Sequence, residues 1–294
     1  MRFEKDWGRL GLKFEELSQV SSYVSERIRI DEVNLDNYVS TENMISERGG
    51  VTKATKLPSG KTISVFQKGD ILISNIRPYF KKIWLADKSG GCSNDVLVVR
   101  ANEKISNRFL YYVLSSDNFF DYAVGTSKGT KMPRGDKKAI MKYKVPIYSL
   151  VEQEKIAEVL GAFDKKIILN KQINHHLEEM GTTIWQEKFS DKIPNGTLGD
   201  IAIVSSGKRP PVKTTVQTDE EKIPILGASS VMGYTNQALY HQKILVTGRV
   251  GTHGIIQRYQ RSCWPSDNTL VLQSNSYEFV YQILKNIDFD KKIL

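Results

Sequence analysis

The chain has 294 residues, 42 Lys and Arg against 33 Asp and Glu, and a formal net charge of +9. At roughly 100–200 residues per domain this length predicts about two domains, and a composition of 40% hydrophobic and 26% charged residues excludes wholesale disorder. The sequence contains no run of about 18 apolar residues of the kind that spans a membrane, the charged N-terminal stretch lacks the apolar segment of a secretory signal, and Cys92 and Cys263 are too few for a disulfide framework, so a cytoplasmic location is expected.

The charge is unevenly spread: residues 1–150 carry +8, 151–190 carry −2 and 191–294 carry +3. In chain order, short apolar runs bounded by turn residues predict strands at 62–66, 70–74, 82–86 and 96–100. A helix follows at Phe109-Leu110-Tyr111-Tyr112-Val113-Leu114. Residues 125–144, GTSKGTKMPRGDKKAIMKYK, then set Lys128, Lys131, Arg134, Lys137, Lys138, Lys142 and Lys144 against Asp136 alone. Such a run is either a solvated loop and helix start or a surface that displaces counterions from a nucleic-acid backbone. Gly125, Gly129 and Gly135 suit a loop whose backbone approaches a phosphate closely.

Residues 150–188 carry the strongest periodicity. With Ile156 at position a of a heptad, the a series reads Ile156, Phe163, Asn170, Leu177, Ile184 and the d series Val159, Lys166, Ile173, Met180. A continuous helix of about 39 residues at roughly 1.5 Å each would run about 58 Å. Its apolar stripe needs cover, either its own domain or another helix, and Asn170 at an a position can fix register and partner number. Pro194, Asn195 and Gly196 mark the way out of the helix.

Beyond it the first pattern returns. Ile71-Leu72-Ile73 aligns with Ile244-Leu245-Val246, Cys92 with Cys263, and Phe109–Leu114 with the six residues from Phe279 to Leu284. Leu17-Ser18-Gln19-Val20 aligns with Leu198-Gly199-Asp200-Ile201, and strands are predicted at 222–226, 243–246, 254–258 and 268–272. A period of that length reads as two copies of one α+β domain rather than a solenoid. The second copy stops where the first reaches Val124, with nothing to match residues 125–190, so it is expected to be incomplete.

Signatures of chemistry are sparse. There is no GxxxxGK[ST] and no GxGxxG. Asn75-Ile76-Arg77-Pro78-Tyr79-Phe80 only loosely approaches the Asn-Pro-Pro-aromatic motif of amino-methyltransferases. The four histidines lack metal-ligand spacing, so no metal is expected. Asp136-Lys137-Lys138 and Glu220-Glu221-Lys222 have the acid-x-Lys form of metal-dependent nucleases without an upstream carboxylate on a strand. The cysteines, at equivalent places in two copies, are expected to be small buried core residues. Arg77 and Arg249 fall at similar places after the first repeated strand, either as structural ion pairs or as groups that read guanine edges or clamp phosphate.

Two stretches make the combination specific. Residues 68–101, KGDILISNIRPYFKKIWLADKSGGCSNDVLVVRA, and residues 145–189, where a proline precedes Glu152-Gln153-x-x-Ile156-Ala157 and a long helix, resemble the specificity (S) subunit of type I DNA restriction–modification systems. The second stretch resembles that family's central conserved region, and residues 198–272 resemble a second target recognition domain. The resemblance implies an α+β fold: two copies of a target recognition domain, small twisted β-sheets plus helices, joined by a long coiled-coil-type α-helix, the second copy incomplete. The expected boundaries are 1–149, 150–190 and 191–294.

The resemblance further implies a non-catalytic subunit whose domains each read half of a split double-stranded DNA site. Methyltransferase subunits would dock on the helical region and carry S-adenosylmethionine, with no cofactor in this chain; a motor–nuclease subunit would join through them. Lys128, Lys131, Arg134, Lys137 and Lys138 are the expected phosphate contacts. Arg77, Lys81 and Lys82 in the first copy, with Arg249 and His253 in the second, are the expected base readers. Ile156, Phe163, Asn170, Ile173 and Leu177 are the expected helix seam. Full family members pair two such helices antiparallel. With one, this chain is expected either to self-associate through it or to be a silent cassette; a DNA-acting enzyme with its own nuclease or methyltransferase activity is the alternative class.

Overall fold

The computed structural model describes residues 13–193, 195–250 and 254–287. They divide into two compact units between Leu169 and Asn170. In the first, β1 (Lys13–Glu16), α1 (Leu17–Val20), β2 (Ser21–Tyr23), β3 (Arg27–Arg29), β4 (Tyr38–Val39), β5 (Thr62–Phe66), β6 (Ile71–Ser74), β7 (Ile83–Leu85), β8 (Gly90–Cys92) and β9 (Val96–Ala101) precede α2 (Asn107–Leu114), α3 (Asp117–Gly125), α4 (Lys137–Ile140) and β10 (Lys144–Ile147). Two four-stranded sheets form, ordered β2-β9-β6-β7 and β3-β5-β8-β4.

Strand β6 is buried on both faces, which explains the apolar run Ile71-Leu72-Ile73. On one face Ile71 and Ile73 pack with Leu17, Val20, Phe109, Leu110, Leu114, Phe119 and Phe120. On the other, Leu72 packs with Phe66, Trp84, Cys92 and Val98. The first sheet is therefore a middle layer between helices and the second sheet. Asp70, just before β6, is buried and clasped by Arg100, with Nε–Oδ1 and Nη2–Oδ2 both at 2.8 Å. Helices α2 and α3 start at Ser106 and Ser116, whose hydroxyls accept from the amides of Phe109 and Phe119.

The long helix is α5 (Leu150–Phe189), unbroken over 40 residues. Its start explains the Glu-Gln-x-x-Ile-Ala motif residue by residue. Ser149 and Glu152 form a reciprocal cap: Glu152 Oε2 accepts from the Ser149 amide at 3.0 Å and its hydroxyl at 2.6 Å, and the Glu152 amide donates to Ser149 Oγ at 3.3 Å. Gln153 is fully buried; its Oε1 accepts from the Ser106 amide at 2.8 Å, and its Nε2 donates to the Tyr148 carbonyl at 2.9 Å. Ala157 is buried in the first unit's core, with Ile156 half-buried against it. One turn on, a Cβ at Gly161 would lie 3.0 Å from Arg108 Nη2 and 3.3 Å from Tyr112 Oη, so two long side chains of α2 reach over that glycine.

The second unit comprises the C-terminal part of α5 with α6 (Leu198–Ile201), β11 (Ile203–Ser206), β12 (Ile223–Leu226), β13 (Val231–Thr235), β14 (Ile244–Gly248), β15 (Gln257–Tyr259), β16 (Trp264–Pro265), β17 (Thr269–Gln273) and α7 (Tyr277–Asn286). Its main sheet, β11-β17-β14-β15, repeats the order β2-β9-β6-β7, and a three-stranded sheet β13-β12-β16 stands beside it. Glu178 of α5 binds Lys285 Nζ at 2.9 Å, and Trp185 packs on Phe279 with centroids 5.3 Å apart.

The repeat is real in topology but differs in register from the sequence alignment. In the first unit Ile71 pairs with Val99, and in the second Leu245 pairs with Leu272. Ser93 and Ser266 close the same turn, accepting from Val96 and Thr269 and donating to Val39 and Leu226. With that turn as anchor, Ile71 corresponds to Leu245, not Ile244. The slip of one matters because it exchanges the faces of every side chain: Leu245 lies on the helix side like Ile71, whereas Ile244 and Val246 face the second sheet. Cys92 then corresponds to Pro265, and Cys263 lies two residues earlier, just before β16, in a bridge to Tyr240. Both cysteines are nonetheless fully buried core residues, and burial pushes each thiol up to about 12.

Candidate nucleic-acid interface

Past β6 the chain leaves the first sheet and meets the basic segment. The amide of Arg77 donates to the Pro133 carbonyl at 2.8 Å, and Gly135 donates to the Asn75 carbonyl at 3.1 Å. Lys128 and Arg134 exchange both backbone hydrogen bonds at 2.9 Å, closing a small loop that carries Lys131 at its tip. Gly129 has φ +94°, a backbone that favours glycine. Gly135 has another purpose: it is buried, and a Cβ there would lie 2.9 Å from Asn75 Oδ1 and Ile140 Cδ1. Its role is interior packing, not the phosphate approach expected from the sequence.

Arg77 and Lys81 bracket a 3₁₀ turn, Pro78–Phe80, and both are left-handed, with φ 49° and 50°. Glu47 and Arg48 are left-handed too, at 54° and 62°. The pairs are bound together: the Glu47 amide donates to the Phe80 carbonyl at 2.9 Å and the Arg48 amide to the Lys81 carbonyl at 3.0 Å. Such backbones cost roughly 1–3 kcal/mol each for non-glycine residues and persist only where the surroundings over-determine them.

The side chains divide into those engaged within the protein and those facing solvent. Asp117 binds Lys81 Nζ at 2.7 Å and also Arg48, and these two cations bring its carboxyl down to about 2. Lys82 donates to the Thr41 carbonyl at 2.7 Å and lies over the Phe80 ring. Both lysines expected to read bases are thus committed to holding the turn. Lys128 pairs with Asp136 at 2.7 Å, an interaction that lowers the carboxyl from its ordinary value. Arg134 reaches Asp95 at 3.1 Å. Asp136 also caps α4, accepting from the amides of Lys138 and Ala139 at 2.9 and 3.2 Å. That cap accounts for its place before two lysines. Arg77, Lys131, Lys137 and Lys138 are exposed and carry no side-chain ion pair among the described residues. The tertiary fold therefore brings Arg77 to the basic loop, an association that the sequence does not encode locally. It also recruits Arg48 and Asp117, 69 residues apart, which no sequence signal marked.

In the second unit Arg249 is exposed, and its amide donates to the Asn268 carbonyl at 2.9 Å. The corrected register matches it to Asn75 rather than to Arg77. His253 lies outside the described residues. On α5, Phe163, Ile173 and Leu177 of the expected seam are exposed, as is Asn170, together with Val159, Met180 and Ile184. Ile156 differs, being drawn into the first unit's core. Among the described residues no three His, Cys, Asp or Glu side chains converge as a metal would require, and no helix is long and apolar enough to cross a membrane.

Comparison with known proteins bears on this arrangement. The specificity subunit of type I restriction enzyme EcoDI from Escherichia coli is 33% identical over 113 residues, which cover 38% of this chain and 25% of that protein. The specificity subunit of type I restriction enzyme MjaIX from Methanocaldococcus jannaschii is 26% identical over 214 residues, covering 66% of this chain and 48% of that protein. The chain thus spans between a quarter and about half of the length of these relatives. The crystal structure of the type I restriction–modification S subunit from M. genitalium shares the fold, with a TM-score of 0.55 at 16% identity over 94% of this chain and 78% of that one. A family model described as the type I restriction modification DNA specificity domain matches residues 29–179, more than half of the chain, and the chain belongs to that family.

Proposed function

We propose that this chain reads DNA sequence for a type I restriction–modification complex and performs no chemistry itself. The observation that carries this reading is the basic loop of residues 128–134, hydrogen-bonded to Arg77 at the rim of the first unit. Lys131, Lys137 and Lys138 are exposed there for phosphates. Arg77 is the candidate base reader, because a guanidinium without a side-chain partner among the described residues is available to a guanine edge. Lys128 and Arg134 contribute charge while tied to Asp136 and Asp95. In the second unit the exposed Arg249, which stands at the place of Asn75 rather than of Arg77, is the candidate reader, so that two domains read a split site.

The exposed stripe of α5, from Val159 through Phe163, Ile173, Leu177 and Ile184, supports a seam with a second helix. Self-association through it would give a two-fold assembly. Methyltransferase subunits dock on the helical region in this reading, hold the S-adenosylmethionine and transfer the methyl group; a motor–nuclease subunit joins through them. The test is co-expression with the cognate methyltransferase and genome-wide mapping of methylated adenines. A single split sequence motif, absent without this chain, is expected. Methyl transfer or DNA cleavage by the purified chain alone, supplied with Mg²⁺ and a labelled methyl donor, would overturn the non-catalytic assignment.

A further inference from the structure

The turn between Arg77 and Lys81 carries two aromatic side chains that a phosphate-binding surface does not need. Tyr79 and Phe80 are 46% and 37% exposed, with ring centroids 4.7 Å apart and planes inclined by 55°. They stand on a rigid support. Pro78 beside them is buried, Phe80 and Lys81 donate back to the carbonyls of Arg77 and Pro78 at 3.0 and 2.9 Å, and both flanking residues are left-handed. The turn is bonded to Glu47 and Arg48 on one side and to Pro133 of the basic loop on the other. Asp117 fastens it to the start of α3 through Lys81 and Arg48. Two more exposed apolar side chains, Ile45 and Met132, lie on the two segments that bind it.

The strained backbone of this support buries neither aromatic ring; what it fixes is the position of two rings at the surface. The exposed Arg77 precedes the turn, Lys82 Nζ lies 5.9 Å from the centroid of the Phe80 ring, and the loop bonded to Arg77 carries the exposed Lys131 and Arg134. Two exposed, mutually inclined aromatic rings beside cations suit insertion at a base step with phosphates on either side. We propose that Tyr79 and Phe80 form an aromatic wedge that stacks on a base step of bound duplex DNA and partly unstacks it, making the ease of deforming that step part of the sequence read by this domain. This rests on the DNA-reading function proposed above.

The test uses the full chain and a duplex selected by it from a random pool, with 2-aminopurine placed at successive positions. Wild type is expected to raise the fluorescence of the probe at one step several-fold. The Tyr79→Ala, Phe80→Ala double variant should leave the probe at its free-duplex signal and bind about tenfold or more weakly, with the salt dependence of binding unchanged. Tyr79→Phe should restore the signal. Tyr79→Gln, which keeps a long side chain at the same exposed position, should not, and thermal melting of each variant establishes that it is folded. Variants that are folded and bind with wild-type affinity and fluorescence overturn the wedge while leaving DNA reading intact. Loss of methyltransferase capture without loss of DNA binding assigns the patch to a protein partner and likewise overturns it. If wild type binds no duplex in a salt-dependent way, the DNA-reading function fails, and the wedge with it.

Discussion

Replacing Gln153 by leucine leaves backbone groups without partners where water does not reach. Gln153 is fully buried at the first turn of α5, and it joins that turn to the residue capping α2. The Ser106 amide loses an acceptor at 2.8 Å and the Tyr148 carbonyl a donor at 2.9 Å; the 3.4 Å contact to the Lys104 carbonyl is too long to count for much. An orphaned buried donor costs about 1–3 kcal/mol, and with the second bond the loss comes to about 3 kcal/mol. For a unit of this size that is a fall in Tm of about 6–12 °C, read by differential scanning calorimetry as a shift of the first unit's transition.

Gln153→Glu sharpens the test through pH. A carboxyl there would face the carbonyls of Tyr148 and Lys104, so burial and those acceptors raise its pKa above the ordinary value of about 4.3. Protonated, it keeps both the donor and the acceptor of the glutamine. A folded-state pKa raised above the unfolded one gives stability that is present below the unfolded pKa and lost as pH rises. The Glu variant should therefore melt close to wild type at about pH 4 and progressively lower toward pH 7. A leucine variant within about 2 °C of wild type, or a glutamate variant with the same deficit at both pH values, would refute the assignment of Gln153 as the pin of the long helix.

Lys128→Ala with Lys131→Ala should weaken DNA binding on every sequence and reduce the slope of log affinity against log salt by about 0.9 per lysine. Wild type would then lose about tenfold more affinity than the variant between 50 and 200 mM salt; a loss confined to one sequence would contradict the phosphate role. Asp136→Asn keeps the cap of α4 but releases Lys128, and should tighten binding in the same titration. Both thiols, pushed up to about 12 by burial, should resist iodoacetamide at pH 8, where the thiolate fraction is about 10⁻⁴ against roughly a quarter for an ordinary thiol. Mass spectrometry should find both alkylated only after denaturation, and fast labelling of the native chain would contradict their burial. Light scattering should show concentration-dependent dimerisation that Phe163→Glu with Leu177→Glu abolishes; a wild type monomeric at all concentrations would exclude the self-paired seam.

Much of the architecture was legible because it is written in local periodicity. The run at 62–66 is β5 as predicted, and the heptad-patterned segment is the unbroken helix α5. The strands that escaped notice have no local pattern. Gly90-Gly91-Cys92 forms β8 because only glycine lets the backbone come so close to its neighbours: a Cβ at Gly90 would lie 2.0 Å from the Asn37 carbonyl oxygen, and one at Gly91 would lie 2.3 Å from Ile63 Cδ1. Likewise β1 and β10 exist only through each other, with Glu16 opposite Lys144 across 128 positions. The repeat was visible, but alternation in short apolar runs such as Ile-Leu-Ile and Ile-Leu-Val cannot choose between neighbouring registers.

The same division runs through the candidate interface. By itself the sequence determined that positive charge concentrates in residues 125–144 and that a long amphipathic helix follows, since both are properties of neighbouring residues. Which cations are available was decided by tertiary structure alone. Lys81 and Lys82 resemble Lys137 and Lys138 as sequence, yet the first pair meets Asp117 and Thr41 while the second pair faces solvent. A charge is free or committed according to what the fold brings within a few ångströms of it, and the partners of Lys81 and Lys82 lie tens of positions away in the chain.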